Sequence, residues 1–214
     1  MSHFQIRAVV LCLVINMLDG FDILVIAFLA PEVARQWSLS PEALGILFSA
    51  GLAGMTFGSL FLSPLADVYG RRPAVLTSLV VTTIGMLASA LTENLMQLTV
   101  ARAITGLGIG TMIASLATIV AEYSTDRRRA AAISFSMAGY PIGAIFGGIV
   151  TVYLLEAFDW QTVFIFGGVV TGLMIPLALV FLPESIEYLL TRREEDTLTR
   201  VNRVLVRMEK APLE

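Results

Sequence analysis

The chain has 214 residues, of which 57% are hydrophobic and only 14% charged, with a mean hydropathy of +0.82 and a net charge of −3. Soluble domains run at about 45–50% apolar and about 25% charged, so this composition excludes an ordinary water-soluble domain. A single cysteine, Cys12, and a single histidine, His3, exclude a disulfide framework and a Cys/His metal site.

Six stretches are long enough to cross a bilayer, which takes about 18–20 apolar residues as helix. They are predicted at about 8–30, 43–63, 74–92, 97–121, 131–155 and 162–182. The first is interrupted by Asp19 and Asp22, and the second and fifth carry small-residue runs such as Gly51, Gly54, Gly58 and Gly139, Gly143, Gly147. Spacings of three and four put such glycines on one helix face, where helix backbones approach closely. Between spans two and three lies an inner loop, Ser63 to Pro73, with Asp67, Gly70, Arg71 and Arg72. The fourth span carries Arg102 about one turn inside its end, followed by Gly106, Gly108 and Gly110. Arg127, Arg128 and Arg129 precede the fifth span, and Pro183-Glu184-Ser185 follows the sixth. Beyond residue 183, Leu198, Val201, Leu205 and Met208 recur at helical spacing among Arg200, Arg203 and Arg207, the pattern of an amphipathic surface helix.

The fold class is therefore an all-α membrane protein. Residues 1–183 are predicted to form a six-helix bundle, and residues 184–214 the start of a cytoplasmic loop with an amphipathic helix. Lys and Arg concentrate in alternate connections, which by the positive-inside rule places both termini in the cytoplasm of a multi-pass cell-membrane protein. The arginine clusters lie between apolar runs and not along one soluble face, so nucleic acid is not a partner. No nucleophile–base pair, metal-ligand set or phosphate loop stands in the sequence, and the chain reads as a non-enzyme without a cofactor.

An ionisable side chain deep in a span costs at least about 2.5–3.5 kcal/mol to insert, so it is a functional candidate by default. Asn16, Asp19 and Asp22 are spaced by three on the first helix, and Asp22 and Arg102 fall at similar depth. They predict a polar cavity between the first and fourth helices, in which Arg102 attracts an anion and an aspartate loads and unloads a proton. The competing reading is a permanent ion pair that staples two helices.

These residues together resemble the major facilitator superfamily. Asp67, Gly70, Arg71 and Arg72 match its signature G-x-x-x-D-(R/K)-x-G-(R/K)-(R/K), with Ser63 in place of the first Gly and Val68 in place of the basic residue. Arg102 with Gly106 and Gly108 looks like the family's R-x-x-x-G-x-G, and Pro183-Glu184-Ser185 like the P-E-S that closes an N-terminal half. Asp19-Gly20-Phe21-Asp22 is similar to the D-G-(F/Y/L)-D of the aromatic acid:H⁺ symporters, and Glu122-Tyr123 fits the same group. The resemblance implies proton-coupled import of small organic, chiefly aromatic, acids, powered by the proton gradient. Asp19, Asp22 and Arg102 would serve substrate recognition and proton coupling, and Asp67, Arg71, Glu122, Arg127 and Glu184 would form a cytoplasmic charge network that latches one transport state. The alternative for the arginines is that they only fix topology.

A facilitator has two six-helix halves, each a 3+3 inverted repeat, with substrate bound between them. This chain resembles the N-terminal half, so transport is expected to need a C-terminal six-helix half or a second copy. Two other readings stay open: a facilitator for another solute, such as a sugar, a nicotinate-like acid or an exported drug, and an orphan half that binds a membrane partner without transporting.

Overall fold

The computed structural model describes residues 2–191 together with residues 201, 202, 206 and 208. Among the described residues the structure is helical throughout, with six helices long and apolar enough to cross a membrane. These are α1 (His3–Trp37), α2 (Pro41–Phe57, continued by a π-helical turn at Gly58–Leu62), α4 (Arg71–Ala90), α5 (Leu95–Glu122), α6 (Arg129–Ala157) and α7 (Trp160–Phe181). Two short helices, α3 (Leu65–Tyr69) and α8 (Ile186–Thr191), lie at the arginine-rich end.

All six helices start before the predicted spans, and α1, α5 and α6 also end beyond them, because hydropathy measures only the hydrocarbon-length run, whereas capping sets where a helix ends. α1 starts at a capping box, in which the Ser2 hydroxyl accepts from the Gln5 amide and the Gln5 side chain accepts from the Ser2 amide. It ends at Ser38, which adopts the left-handed conformation (φ 50°) of a helix C-cap. α2 opens with Ser40 as N-cap and Pro41 in the first turn, where the missing amide hydrogen costs nothing.

The loop predicted over 63–73 is mostly helix. Leu65–Tyr69 forms α3, the chain reverses at Gly70 (φ 110°), and Arg71 and Arg72 are the first residues of α4. A side chain at Gly70 would be strained, and its Cβ would stand 2.7 Å from Glu184 Oε2. Of the predicted amphipathic helix, Val201, Asn202 and Val206 are helical, and Val201 and Met208 are buried. The rest of that segment, including Leu198 and Leu205, lies outside the described residues.

Packing follows a reciprocal pattern. α1 packs mainly on α6, α5 packs on both α4 and α2, and α4 packs on both α5 and α7. The first helix of each three-helix set thus lies against the second helix of the other, as an inverted 3+3 repeat requires. Both contacts are backbone-close. A Cβ at Gly143 would overlap the Met17 main chain, and one at Gly110 would overlap the Met55 main chain. One apolar core fills the arginine-rich end around Ile15, Leu79, Leu116 and Tyr123, and a second fills the opposite end around Phe21, Leu47, Met86, Trp160 and Phe164. The buried aspartates of α1, Asp19 and Asp22, sit where these two cores meet.

Candidate functional site

Asn16, Asp19, Asp22 and Arg102 are at most 3% exposed. The three α1 residues do not share one partner surface. A spacing of three falls about 60° short of a full helical turn, so Asn16 to Asp22 sweeps about 120° around α1. Asn16 faces α6: its amide donates to the Ser136 hydroxyl (3.1 Å) and to the Cys12 carbonyl (3.0 Å). Asp19 lies within electrostatic reach of Tyr140 on α6, and neither of its carboxylate oxygens meets a hydrogen-bond donor among the described residues. Asp22 faces α7 and α5. Its Oδ2 accepts from the Thr171 hydroxyl (3.2 Å), while Oδ1 is buried without a donor.

Arg102 reaches Asp22, but not its carboxylate. One guanidinium nitrogen donates to the Asp22 main-chain oxygen (2.7 Å), another to the Met86 sulfur (3.1 Å), and the guanidinium carbon lies 5.5 Å from the centre of the Phe164 ring. A cation over an aromatic face in a dry site is held by the ring quadrupole. Phe164 packs edge-on against Trp160, and Trp160 edge-on against Trp37, so an aromatic column joins Arg102 to the helix ends far from the arginine-rich loops.

The polar cavity predicted between the first and fourth helices takes a different form. A cavity of about 150 Å³ opens between α1, α2 and α5, lined by apolar side chains such as Ile26, Leu47 and Phe48, with Arg102 and the glycines Gly51 and Gly106 in its wall. Asp19 and Asp22 are absent from that wall, because the 60° drift per step carries them toward α6 and α7. Together, the structure places one cation and two under-bonded carboxylates at the meeting point of the two apolar cores. Such a group can take up a proton or an anionic ligand, since each supplies what the protein withholds.

The predicted charge network at the arginine-rich end is built chiefly on main-chain donors. Asp67 pairs with Arg71 one turn later. Glu184 accepts from the Arg72 amide (3.0 Å) and the Ser185 amide (2.9 Å), and Glu122 from the Ser185 hydroxyl (2.7 Å) and the Ile186 amide (2.6 Å). The Tyr123 hydroxyl donates to the Glu184 carbonyl (2.8 Å); burial, then the carboxylates of Glu122 and Glu184, push this phenol above its ordinary range and keep it a donor. The Arg72 side chain donates to the Leu179 carbonyl. Arg127 is exposed and joins no ion pair among the described residues.

The family model described as Major Facilitator Superfamily matches residues 12–210. The chain belongs to this superfamily. It is 35% identical over 192 residues to the 4-hydroxybenzoate transporter PcaK of Pseudomonas putida, and 34% identical over 192 residues to the gallate transporter of the same organism; each match covers 90% of this chain and 43% of the relative. Among solved structures, a proton:xylose symporter, XylE, superposes with a TM-score of 0.86 at 18% identity, covering 97% of this chain and 50% of that one. That likeness shows the fold. The chain spans less than half the length of the curated relatives it matches. The family and these relatives are transporters, not enzymes, and six apolar helices make the chain a multi-pass membrane protein.

Against this facilitator half, the residues that sequence reasoning missed are Met86, Phe164 and Thr171, which surround the charged pair. None is ionisable, and a hydroxyl or an aromatic ring in an apolar run reads as ordinary packing.

Proposed function

We propose that this chain is the N-terminal half of a proton-coupled importer of small aromatic acids, working by alternating access in a bacterial inner membrane with both termini cytoplasmic. The observation that carries the reading is the buried trio Asp19, Asp22 and Arg102, with three carboxylate oxygens left without donors, in a chain similar to 4-hydroxybenzoate and gallate transporters. Arg102 fixes the substrate carboxylate. Asp22 ties substrate binding to the charge state of the site. A proton on Asp19 removes a buried charge that nothing else compensates. The arginine-rich end, through Asp67, Gly70, Arg71, Arg72, Glu122 and Glu184, fastens one transport state, with Arg127 contributing to topology.

The substrate path needs a facing half. Exposed apolar residues along α2 and α6, among them Leu52, Phe57, Phe146 and Tyr153, offer surface both to lipid and to a C-terminal six-helix half. One observation favours a second reading, in which Arg102 is a fixed staple: its guanidinium donates to the Asp22 main-chain oxygen and so ties the fourth span to the first.

The test is uptake by the chain assembled with a complementary C-terminal six-helix half in liposomes. Labelled 4-hydroxybenzoate is expected to accumulate under an inward proton gradient and to stop accumulating with an uncoupler. Uptake that ignores the uncoupler removes the proton from the reading, and transport of xylose in place of the aromatic acid removes the substrate class.

A further inference from the structure

The sixth span, α7, carries no ionisable residue, yet one stripe of it touches both members of the central charge pair. Phe164, Gly167 and Thr171 recur at spacings of three and four and are buried together. The Phe164 ring faces the Arg102 guanidinium, and the Thr171 hydroxyl donates to Asp22 Oδ2. Gly167 leaves the room between them: a Cβ there would stand 3.3 Å from Asp22 Oδ1 and 2.6 Å from the Phe21 ring.

Two features make this more than packing. A threonine in an apolar helix ordinarily satisfies itself on the carbonyl four residues back. Thr83, Thr105, Thr118 and Thr151 all do so here. Thr171 donates instead across the bundle to a carboxylate. Secondly, a guanidinium and a carboxylate brought together in a dry site normally join through their charged atoms, in the strongest kind of hydrogen bond. Arg102 takes the main-chain oxygen of Asp22, and no ion pair joins the two side chains.

We propose that Thr171, backed by Phe164, is a positioning residue that holds the Asp22 carboxylate against α7 and off the Arg102 guanidinium. The cation is thereby kept out of a direct ion pair and open to an incoming carboxylate, and the anion is kept available to the transport cycle. This rests on the reading of Asp22 and Arg102 as substrate and coupling residues. Thr171 acts only through Asp22. Among the described residues its hydroxyl is the single donor to that carboxylate, so deleting it leaves the Arg102 guanidinium, already bonded to the Asp22 main chain, as the group to pair with it.

The experiment compares Thr171→Val, which keeps the volume and deletes the hydroxyl, with Thr171→Ser, which keeps the hydroxyl, in the assembled transporter in liposomes. The carboxylate infrared band of Asp22 is isolated by difference against Asp22→Asn. In Thr171→Val it is expected to move to the position of a guanidinium-paired carboxylate and to return in Thr171→Ser. The maximal rate of 4-hydroxybenzoate uptake is expected to fall about tenfold in Thr171→Val, the worth of one net hydrogen bond, with KM changed less than about threefold. Thr171→Ala gives the same comparison should the valine variant not reach the liposomes. An unmoved Asp22 band in Val or Ala, or a serine variant that behaves like them, overturns the proposal. Failure of the unsubstituted transporter to take up the acid would overturn the functional reading instead, and the infrared comparison would still decide this one.

Discussion

At the arginine-rich end both carboxylate oxygens of Glu122 accept hydrogen bonds, whereas in the middle of the bundle neither oxygen of Asp19 meets a donor. Both regions concentrate charge in an apolar protein, but they use it differently. Glu122, Glu184 and Tyr123 bind main-chain groups and a hydroxyl of the Glu184–Ile186 segment, and so fasten the chain that follows the sixth span to the ends of α4 and α5. Asp19, Asp22 and Arg102 sit where two apolar cores meet, with three carboxylate oxygens that meet no donor among the described residues. Under the proposed function, the saturated carboxylates hold a shape and the under-bonded ones receive what comes and goes.

The contrast is broken most severely at Arg102. Arg102→Lys keeps the charge but loses the planar fork that reaches the Asp22 carbonyl and the Met86 sulfur together, and it weakens the contact with Phe164. Uptake of labelled 4-hydroxybenzoate by the assembled transporter is expected to fall about 100-fold or more at unchanged membrane level, as for loss of a buried charged partner. Normal uptake would take Arg102 out of the site.

Next in size is Gly70→Ala at the other region. The left-handed φ and the closeness of Glu184 mean that a methyl group strains the turn by about 1–3 kcal/mol and pushes the carboxylate off the Arg72 amide. Thermal unfolding is expected about 3–10 °C lower, with uptake reduced severalfold. An unchanged melting temperature would mean that the turn relaxes freely.

Glu122→Ala sharpens the comparison further. It removes acceptors for the Ser185 hydroxyl and the Ile186 amide but touches neither Asp22 nor Arg102, so proteolysis after Glu184 is expected to accelerate while uptake falls by no more than about fivefold. A loss as deep as that of Arg102→Lys would erase the distinction between the two regions. Arg127→Ala is expected to do least. The side chain is exposed and unpaired among the described residues, and exposed ion pairs are worth only about 0–1 kcal/mol in any case, so uptake within twofold of the unsubstituted level is the expected result.

Much of this was legible in the sequence, for identifiable reasons. Hydropathy marks the spans, because a helix satisfies its own backbone within a bilayer and needs only an apolar run of the right length. Asp19, Asp22 and Arg102 stand out because charge is rare there, and Gly143 and Gly110 because small residues at helical spacing permit backbone contact. What stayed hidden depends on direction and on neighbours. A spacing of three gave Asn16, Asp19 and Asp22 a common side, yet its drift is enough to aim Asn16 at α6 and Asp22 at α7. Thr171 looked like any threonine in an apolar run, and only the fold reveals that it donates to a carboxylate 149 positions away. The opposing charges near the inner surface suggested a lattice of ion pairs. Among the described residues the structure gives one there, Asp67 with Arg71, and assigns Glu122 and Glu184 to amide hydrogens that no sequence pattern displays.

The central claim, that the under-bonded aspartates of α1 are held for exchange, is tested most directly by Asp19→Asn in the assembled transporter. Asparagine keeps the volume of the protonated acid and removes the site at which a proton is gained and lost. Accumulation of 4-hydroxybenzoate against its gradient is measured as the external pH is varied, beside exchange of labelled for unlabelled acid without a gradient. The account predicts that accumulation is abolished at every pH while exchange persists. Accumulation that continues in Asp19→Asn with an unchanged pH dependence would contradict it.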